Sequence, residues 1–161
     1  EEVGRDAARF FFNLKTSGSH LDFDLDLAVS QSNENPVYYV QYAHARICSL
    51  IRKLKEEEGI TLKDVAEIDL TLLTKDEELD LIRKLAEYPE EIALSAKTLE
   101  PSRLTRYVMD VAAHFHSFYN ACRVKGEEEP LMMARLMLVD STRIVIKNVL
   151  DLISIHAPEK M

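Results

Sequence analysis

The sequence predicts an all-α fold, a helical bundle preceded by a short helical connector. Only four of its 161 residues are Gly and five are Pro, too few for the many turns of a β fold. Apolar residues recur every three or four positions over several long segments, the spacing that places side chains on one face of an α-helix. Hydrophobic residues make up 47 % of the chain, which is enough for a buried core.

The chain opens with two short predicted helices. Residues 4–14 have the composition of a helix with a very apolar end. A loop and an extended stretch then lead to a second helix over about 24–32, which Asp24 can cap. Asp22, Asp24 and Asp26 alternate with apolar residues. We expect these carboxylates to face solvent rather than to form a metal cluster.

A long helix is predicted over residues 36–58. Asn35 followed by Pro36 is a helix-start signal, and Gly59 is a stop signal. The apolar face of this helix consists of Val37, Val40, His44, Ile47, Ile51 and Leu54. A second face is aromatic and basic and consists of Tyr38, Tyr42, Arg46, Ser49 and Lys53. Because His44 lies on the apolar face, we expect a hydrogen-bonded core histidine.

The middle of the chain is predicted to contain shorter elements. Residues 61–74 are expected to form short helical or irregular segments. Thr74 is expected to cap the next helix, with Glu77 at the spacing of a capping box. That helix ends before Pro89, and a further short helix is expected over residues 89–98.

Two long helices complete the predicted bundle, one opened by Pro101 and Ser102 and one by Pro130. The apolar stripe of the first consists of Leu104, Val108, Val111, Phe115, Phe118 and Cys122. The apolar stripe of the second consists of Leu131, Ala134, Leu138, Val145, Val149 and Leu152.

Charge is unevenly distributed along the chain. The formal net charge is −8, of which residues 1–60 contribute −3, residues 61–101 contribute −6 and residues 102–161 contribute +1. Residues 36–55 contain three Tyr, two Arg and two Lys but no Asp or Glu. The overall charge argues against an indiscriminate nucleic-acid-binding protein. A carboxylate-free helix in an acidic protein is nevertheless a candidate surface for a polyanion.

Catalytic and metal sites find little support in the sequence. It contains no P-loop, no Gly-rich dinucleotide turn and no nucleophile elbow. His114 and His116 are two residues apart, so on a helix they point in different directions and cannot chelate one ion. Cys48 and Cys122 lie in apolar patterns and are expected to be reduced thiols of a cytosolic protein. No apolar run is long enough to span a membrane.

A binding function for single-stranded RNA finds more support. Bases of RNA loops stack on aromatic rings while Arg and Lys contact phosphates. Phe115 and Phe118 lie on an apolar stripe and are expected in the core. Tyr119 lies at the edge of that stripe, where a half-exposed ring can stack on a base.

Five segments, in this order along the chain, match the sequence pattern of one protein family. They are VGRDAARF at 3–10, SHLDFDLDLA at 19–28, NPVYYVQYAHAR at 35–46, HSFYN at 116–120 and LISIHAPEKM at 152–161. Together they resemble bacterial arginyl-tRNA synthetases over almost the whole chain. The family's Asp-Ala-Leu-Arg motif is kept only in part, as Met133-Ala134-Arg135-Leu136.

The resemblance implies a fragment of a class I synthetase that joins arginine to its tRNA with ATP and magnesium. The ATP and arginine sites would lie in a catalytic domain upstream, so the fragment alone would hold no cofactor and be inactive. Residues 1–34 would be the end of the catalytic domain and a connector, and residues 35–161 the anticodon-binding domain. The expected partners are the anticodon arm of arginine tRNA and the catalytic domain of the same chain, in the cytoplasm, with no role for membranes or DNA.

The resemblance also implies a pocket for an anticodon base, formed by Tyr119 and Met161. Every arginine codon has G in the middle, so every arginine anticodon has a middle C, and a pocket for one pyrimidine suffices. The residues expected to bind tRNA are Tyr119, Met161, Arg123, Tyr42, Arg46 and Lys53. Two alternatives stay open at this point, a helical protein–protein interaction module and a structural bundle without a separate activity.

Overall fold

A computed structural model of the chain describes residues 3–16, 18–20 and 22–161. The residues of the predicted connector that lie outside these ranges are Glu1, Glu2, Ser17 and Leu21. The described residues form seven α-helices and two 3₁₀ turns, with no β-strand among them, which confirms the all-α prediction. The helices are α1 (Arg5–Asn13), α2 (Leu25–Val29), α3 (Pro36–Glu58), α4 (Asp76–Ala86), α5 (Tyr88–Thr98), α6 (Ser102–Ala121) and α7 (Glu129–Leu152), and the 3₁₀ turns are Val65–Glu67 and Leu70–Leu72.

Helix α3 begins and ends where the sequence predicts, because both ends are determined locally. The Asn35 side-chain oxygen accepts hydrogen bonds from the backbone N–H groups of Val37 (3.2 Å) and Tyr38 (3.5 Å). The Asn35 amide nitrogen donates to the Ser30 carbonyl at 2.8 Å and so ties α3 to the connector. At the other end, Gly59 has φ 68°, the left-handed conformation in which glycine commonly ends a helix.

Helix α6 is the centre of the bundle and packs against α1, α3, α4, α5 and α7. All six residues of its predicted apolar stripe are buried. The prediction is therefore confirmed, and Phe115 and Phe118 are core residues. Ala7 and Phe10 of α1 join the same core, so the connector packs against the bundle.

The predicted cap of α4 is wrong by one residue. Lys75, not Thr74, precedes the helix, and the Glu78 carboxylate, not Glu77, accepts the Lys75 backbone N–H at 2.9 Å. Glu78 is fully buried because it also pairs with Arg135 of α7. This long-range ion pair determines at which residue α4 begins, and local sequence spacing does not reveal it.

The predicted single stripe of α7 is also wrong in part. Ala134, Leu138 and Val149 are buried, but Leu152 is more than half exposed. Because α7 packs against α3, α4 and α6, it needs a wider buried surface than one stripe. The additional buried residues are Met132, Met133, Arg135, Leu136, Val139, Thr142, Ile146 and Leu150.

The connector is helical as predicted, but its second helix is shorter than predicted. The Asp24 side chain accepts the Leu27 backbone N–H at 2.9 Å and caps α2, as expected, but the helix ends at Val29. Phe23 packs against Phe11, with 5.4 Å between ring centroids. The three aspartates around α2 are exposed, which confirms that their carboxylates face solvent.

Candidate nucleic-acid interface

The second face of α3 meets the edge of α6 and forms a continuous aromatic and basic surface. On α3 its members recur every four residues, and on α6 they are three residues apart, so each set points in one direction. We call this surface the aromatic–basic face, and its members are Tyr38, Tyr42, Arg46, His116 and Tyr119.

Stacked rings line one half of this face. The Tyr38 and Tyr42 rings lie 6.2 Å apart between centroids and are within 6° of parallel. The His116 ring continues the stack at 6.1 Å from Tyr42 and also contacts the buried side of α3 through Tyr39, at 4.9 Å. The Tyr39 ring is partly buried and packs against the core, and this burial raises the pKa of its hydroxyl.

Arg46 lies at the centre of the aromatic–basic face. Its guanidinium carbon is 4.1 Å from the centroid of the Tyr119 ring and 5.9 Å from that of Tyr42, within the range of cation–π interactions. None of the ion pairs formed within the described residues involves Arg46. Its guanidinium therefore lies against ring faces rather than beside a carboxylate, and it is available to an anion.

Sequence reasoning did not identify His116 as a member of this face. It considered His116 only as a metal ligand, although a residue three positions before Tyr119 on a helix lies on the same side. Burial, and then the nearby Arg46 charge, lower the pKa of His116, so the neutral ring is favoured. Its Nε2 atom is buried without a hydrogen-bond partner among the described residues.

The structure brings Tyr42, Arg46 and Tyr119 together, whereas Lys53 lies further along α3 and Arg123 lies beyond the end of α6. Lys53 is exposed on the same side of α3, about 10 Å further along the helix axis at 1.5 Å per residue. Arg123 follows Tyr119 by four residues, but α6 ends at Ala121. The side chains of Arg123 and Tyr119 therefore do not share a helical face.

Met161 lies at the end of a chain segment that runs along α3. We call residues 153–161 the C-terminal tail. The Nδ1 atom of His44 donates a hydrogen bond to the Pro158 carbonyl at 2.8 Å, which confirms that His44 is a hydrogen-bonded core residue. Burial lowers the pKa of His44. Met161 itself is 56 % exposed.

A family model described as "DALR anticodon binding domain" matches residues 40–161, which is more than half of the chain. The chain belongs to the DALR anticodon-binding domain family. The aromatic–basic face lies within the matched residues except for Tyr38, whereas α1 and α2 precede them.

Relatives of this DALR domain are parts of longer proteins. The chain is 74 % identical over its full length to an arginine–tRNA ligase of Acetivibrio thermocellus and 73 % identical to one of Ruminiclostridium cellulolyticum, and it spans 28 % of each. Among solved structures, an arginyl-tRNA synthetase of Thermus thermophilus superposes with a TM-score of 0.83 at 31 % identity. That match covers 97 % of this chain and 26 % of the other.

The partly kept family motif of the DALR domain has a structural role. Arg135 is 2 % exposed, and its Nε donates to the Glu78 carboxylate at 2.6 Å. Its Nη1 donates to the Arg123 carbonyl (2.6 Å) and to Glu127 (3.0 Å). Arg135 therefore holds the loop between α6 and α7 and is not available to a ligand.

Within the described ranges, no group of three or more His, Cys, Asp or Glu side chains is arranged to hold a metal ion. In the same part of the chain, no helix is both long and apolar enough to cross a bilayer.

Proposed function

We propose that this chain is the anticodon-binding part of an arginine–tRNA ligase and that it positions arginine tRNA for ATP-dependent arginylation. The observation that carries the proposal is the Arg46 guanidinium, which lies on the Tyr119 ring without a carboxylate partner among the described residues. A ring face covered by a cation without a carboxylate partner is a stacking site for a base next to a contact for its phosphate. Family membership and the names of the relatives agree with this function.

In the proposed complex, Tyr119 and Met161 clamp the middle C of the anticodon. Tyr119 is half-buried and packs against Phe115, which keeps its ring in place, and Met161 is an exposed, flexible thioether. When a base takes the Tyr119 face, Arg46 moves from the ring to a phosphate. Tyr42, Lys53 and Arg123 extend the contact to neighbouring nucleotides.

The whole enzyme's reaction requires parts that this chain does not contain. We propose that ATP, with magnesium, and arginine bind in a catalytic domain upstream, and that the present chain holds no cofactor. Its 28 % share of the relatives' length is consistent with this division. The isolated chain should then produce no arginyl-tRNA from ATP, arginine and tRNA in an aminoacylation assay. Product above background would overturn this part of the proposal.

The proposed partners are the anticodon arm of arginine tRNA and the catalytic domain of the same protein, in the cytoplasm. DNA and membranes are not proposed partners. The division at residues 34 and 35 also remains a proposal. It falls one residue before α3 begins and five residues before the family match begins, which supports a boundary close to this position.

Binding of the anticodon arm tests the function directly. The chain is titrated with an arginine anticodon-arm RNA and with the same arm carrying U in place of the middle C, each at 50 and 200 mM salt. We expect weaker binding at the higher salt, because phosphate contacts release counterions, and weaker binding to the U arm. Salt-sensitive binding that ignores the change would reduce the proposal to a phosphate-contacting surface, and absence of binding to both arms would refute it for the isolated chain.

A helical protein–protein interaction module is the second candidate function, and one observation favours it. A groove of about 450 Å³ between the second 3₁₀ turn, α4 and α7 is almost entirely apolar. Its lining residues are Leu70, Leu73, Ile82, Leu85, Ala86, Met137, Leu138 and Ser141. Binding through this groove should resist salt and fail in Ile82→Asp, whereas RNA binding should weaken with salt and be unchanged in Ile82→Asp.

A further inference from the structure

The C-terminal tail is held in place by side chains rather than by secondary structure. After α7 ends at Leu152, Ile153 and Ile155 insert into the core. Beyond Ile155 the chain has no regular hydrogen-bonded structure and ends with three exposed residues. A segment without regular hydrogen-bonded structure is poorly ordered unless side chains tie it down.

Two side chains of α3 bind the main chain of the tail. The Gln41 amide nitrogen donates to the His156 carbonyl at 2.8 Å, and His44 Nδ1 donates to the Pro158 carbonyl at 2.8 Å. Because a carbonyl oxygen only accepts, the Nδ1 atom of His44 carries the hydrogen. Alternate carbonyls of an extended segment point the same way, so two donors one helical turn apart can bind residues 156 and 158.

A third contact comes from the connector and closes a ring of hydrogen bonds. The Oδ2 atom of Asp6, on α1, accepts from Gln41 Nε2 at 3.2 Å and from the His156 backbone N–H at 3.2 Å. Its other oxygen lies 3.7 Å from Arg5 Nε, on the exposed side. Asp6, Gln41 and His156 are thus each bonded to the other two, although 150 residues separate Asp6 from His156.

We propose that Asp6, Gln41 and His44 are positioning residues that hold the C-terminal tail so that Met161 reaches the aromatic–basic face. This inference rests on the proposed function, because it assigns the tail a part in selecting the anticodon base. Three residues after Pro158, Met161 can lie at most about 10 Å from that anchor, so the anchor determines which part of α3 the Met161 side chain can reach.

The contacts indicate positioning rather than general stabilisation of the bundle. Gln41 and Asp6 are only half-buried, and the tail groups that they bind are backbone atoms of an exposed residue. Asp6 lies outside the matched residues 40–161, so part of the anchor for the domain's tail comes from the connector. The connector therefore contributes to anticodon binding and is not only a link to the catalytic domain.

Amide hydrogen exchange of the full chain tests the anchor without RNA. In Asp6→Ala and in Gln41→Met, the His156 amide should exchange at least tenfold faster, while amides in the middle of α6 keep their protection. The matched controls are Asp26→Ala and Gln31→Met, which change an exposed aspartate and an exposed glutamine of the connector region. Asp6→Asn keeps an acceptor oxygen and should restore much of the protection. An unchanged His156 amide in Asp6→Ala would show that the anchor is absent.

The same variants are then titrated with the anticodon arms carrying middle C and middle U. The ratio of the two affinities should fall about threefold to tenfold in Asp6→Ala and Gln41→Met, the size expected for loss of one or two hydrogen bonds. A released tail with an unchanged ratio would overturn the positioning role and leave the proposed function intact. If the wild-type chain binds neither arm, the proposed function is refuted for the isolated chain, and with it the role of the tail, whatever the exchange rates show.

Discussion

Two arginines of this domain, Arg46 and Arg135, differ in what surrounds their charge. Arg135 is buried, and two carboxylates and a carbonyl surround its guanidinium. Arg46 is half-buried, and its guanidinium lies against the rings of Tyr119 and Tyr42. Both arginines are on long helices, but Arg135 makes three hydrogen bonds inside the protein, whereas Arg46 has a cation–π contact that a ligand can replace.

This difference distinguishes a structural cation from a candidate binding cation. A buried ion pair is costly to break, because the remaining partner is left charged without solvent. A cation on an exposed ring face contributes only about 1 kcal/mol and exchanges that contact easily. We therefore expect the loss of Arg135 to affect folding and the loss of Arg46 to affect binding, and the following predictions test this contrast from the largest effect to the smallest.

Removal of Arg135 should have the largest effect on stability. Arg135→Met leaves the Glu78 carboxylate buried and unpaired, so the free energy of unfolding should fall by about 3–5 kcal/mol. The double variant Arg135→Met with Glu78→Leu should recover most of this loss, apart from the cap that Glu78 provides to α4. Urea unfolding followed by circular dichroism measures both. The control Lys125→Met breaks an exposed ion pair with Glu58 and should change little.

Removal of the Tyr119 ring should have the largest effect on RNA binding. Base–aromatic stacking contributes about 1–3 kcal/mol per base, so Tyr119→Ala should weaken binding of the middle-C arm by roughly fivefold to a hundredfold. Deletion of Met161 should weaken selection of the middle C in the same direction. Tyr119→Phe keeps the ring and is the matched control. If Tyr119→Ala and the Met161 deletion both leave that selection intact, the base pocket lies elsewhere.

Neutralisation of Arg46 should affect binding but not folding. Arg46→Gln should lower the affinity for the anticodon arm about tenfold at low salt and reduce the slope of log K against log salt by about 0.7, as for one contact with a single strand. The unfolding free energy should change by at most about 1 kcal/mol. Lys97→Gln, which removes an exposed charge from α5, serves as the control for net charge. A loss of stability as large as that of Arg135→Met would remove the contrast between the two arginines.

The pH dependence of stability should reflect the lowered pKa of His116, which lies beside Arg46. Because burial lowers the pKa of His116 in the folded state, the unfolded chain binds a proton more readily. The resulting stability is fully present above about pH 6.5 and is lost as the pH falls from there through the folded pKa. His116→Phe keeps the stacked ring and should flatten this acid-side loss, measured by thermal unfolding between pH 7.5 and 5. An unchanged pH profile would assign the loss to other groups, of which His44 is the first candidate.

Sequence reasoning located features that depend on neighbouring residues and missed those that depend on distant ones. It grouped Tyr42 and Arg46 on one face of α3 and placed Tyr119 at the edge of the α6 stripe, because helical spacing is visible along the chain. It misplaced the cap of α4 by one residue, since Glu78 is selected by Arg135, 57 residues away. It also did not relate Asp6 to the tail, because nothing near either residue indicates the other.

The sequence by itself determined the helices of this protein, most clearly α3. Asn35, Pro36 and Gly59 set its ends by local backbone hydrogen bonds and conformation, and the 3.6-residue period assigned its two faces. Only the tertiary structure decided which charges are used internally and which remain available to a ligand. The guanidinium groups of Arg46 and Arg135 are chemically identical, and their roles differ because the folding of α6 and α7 places rings against one and carboxylates against the other.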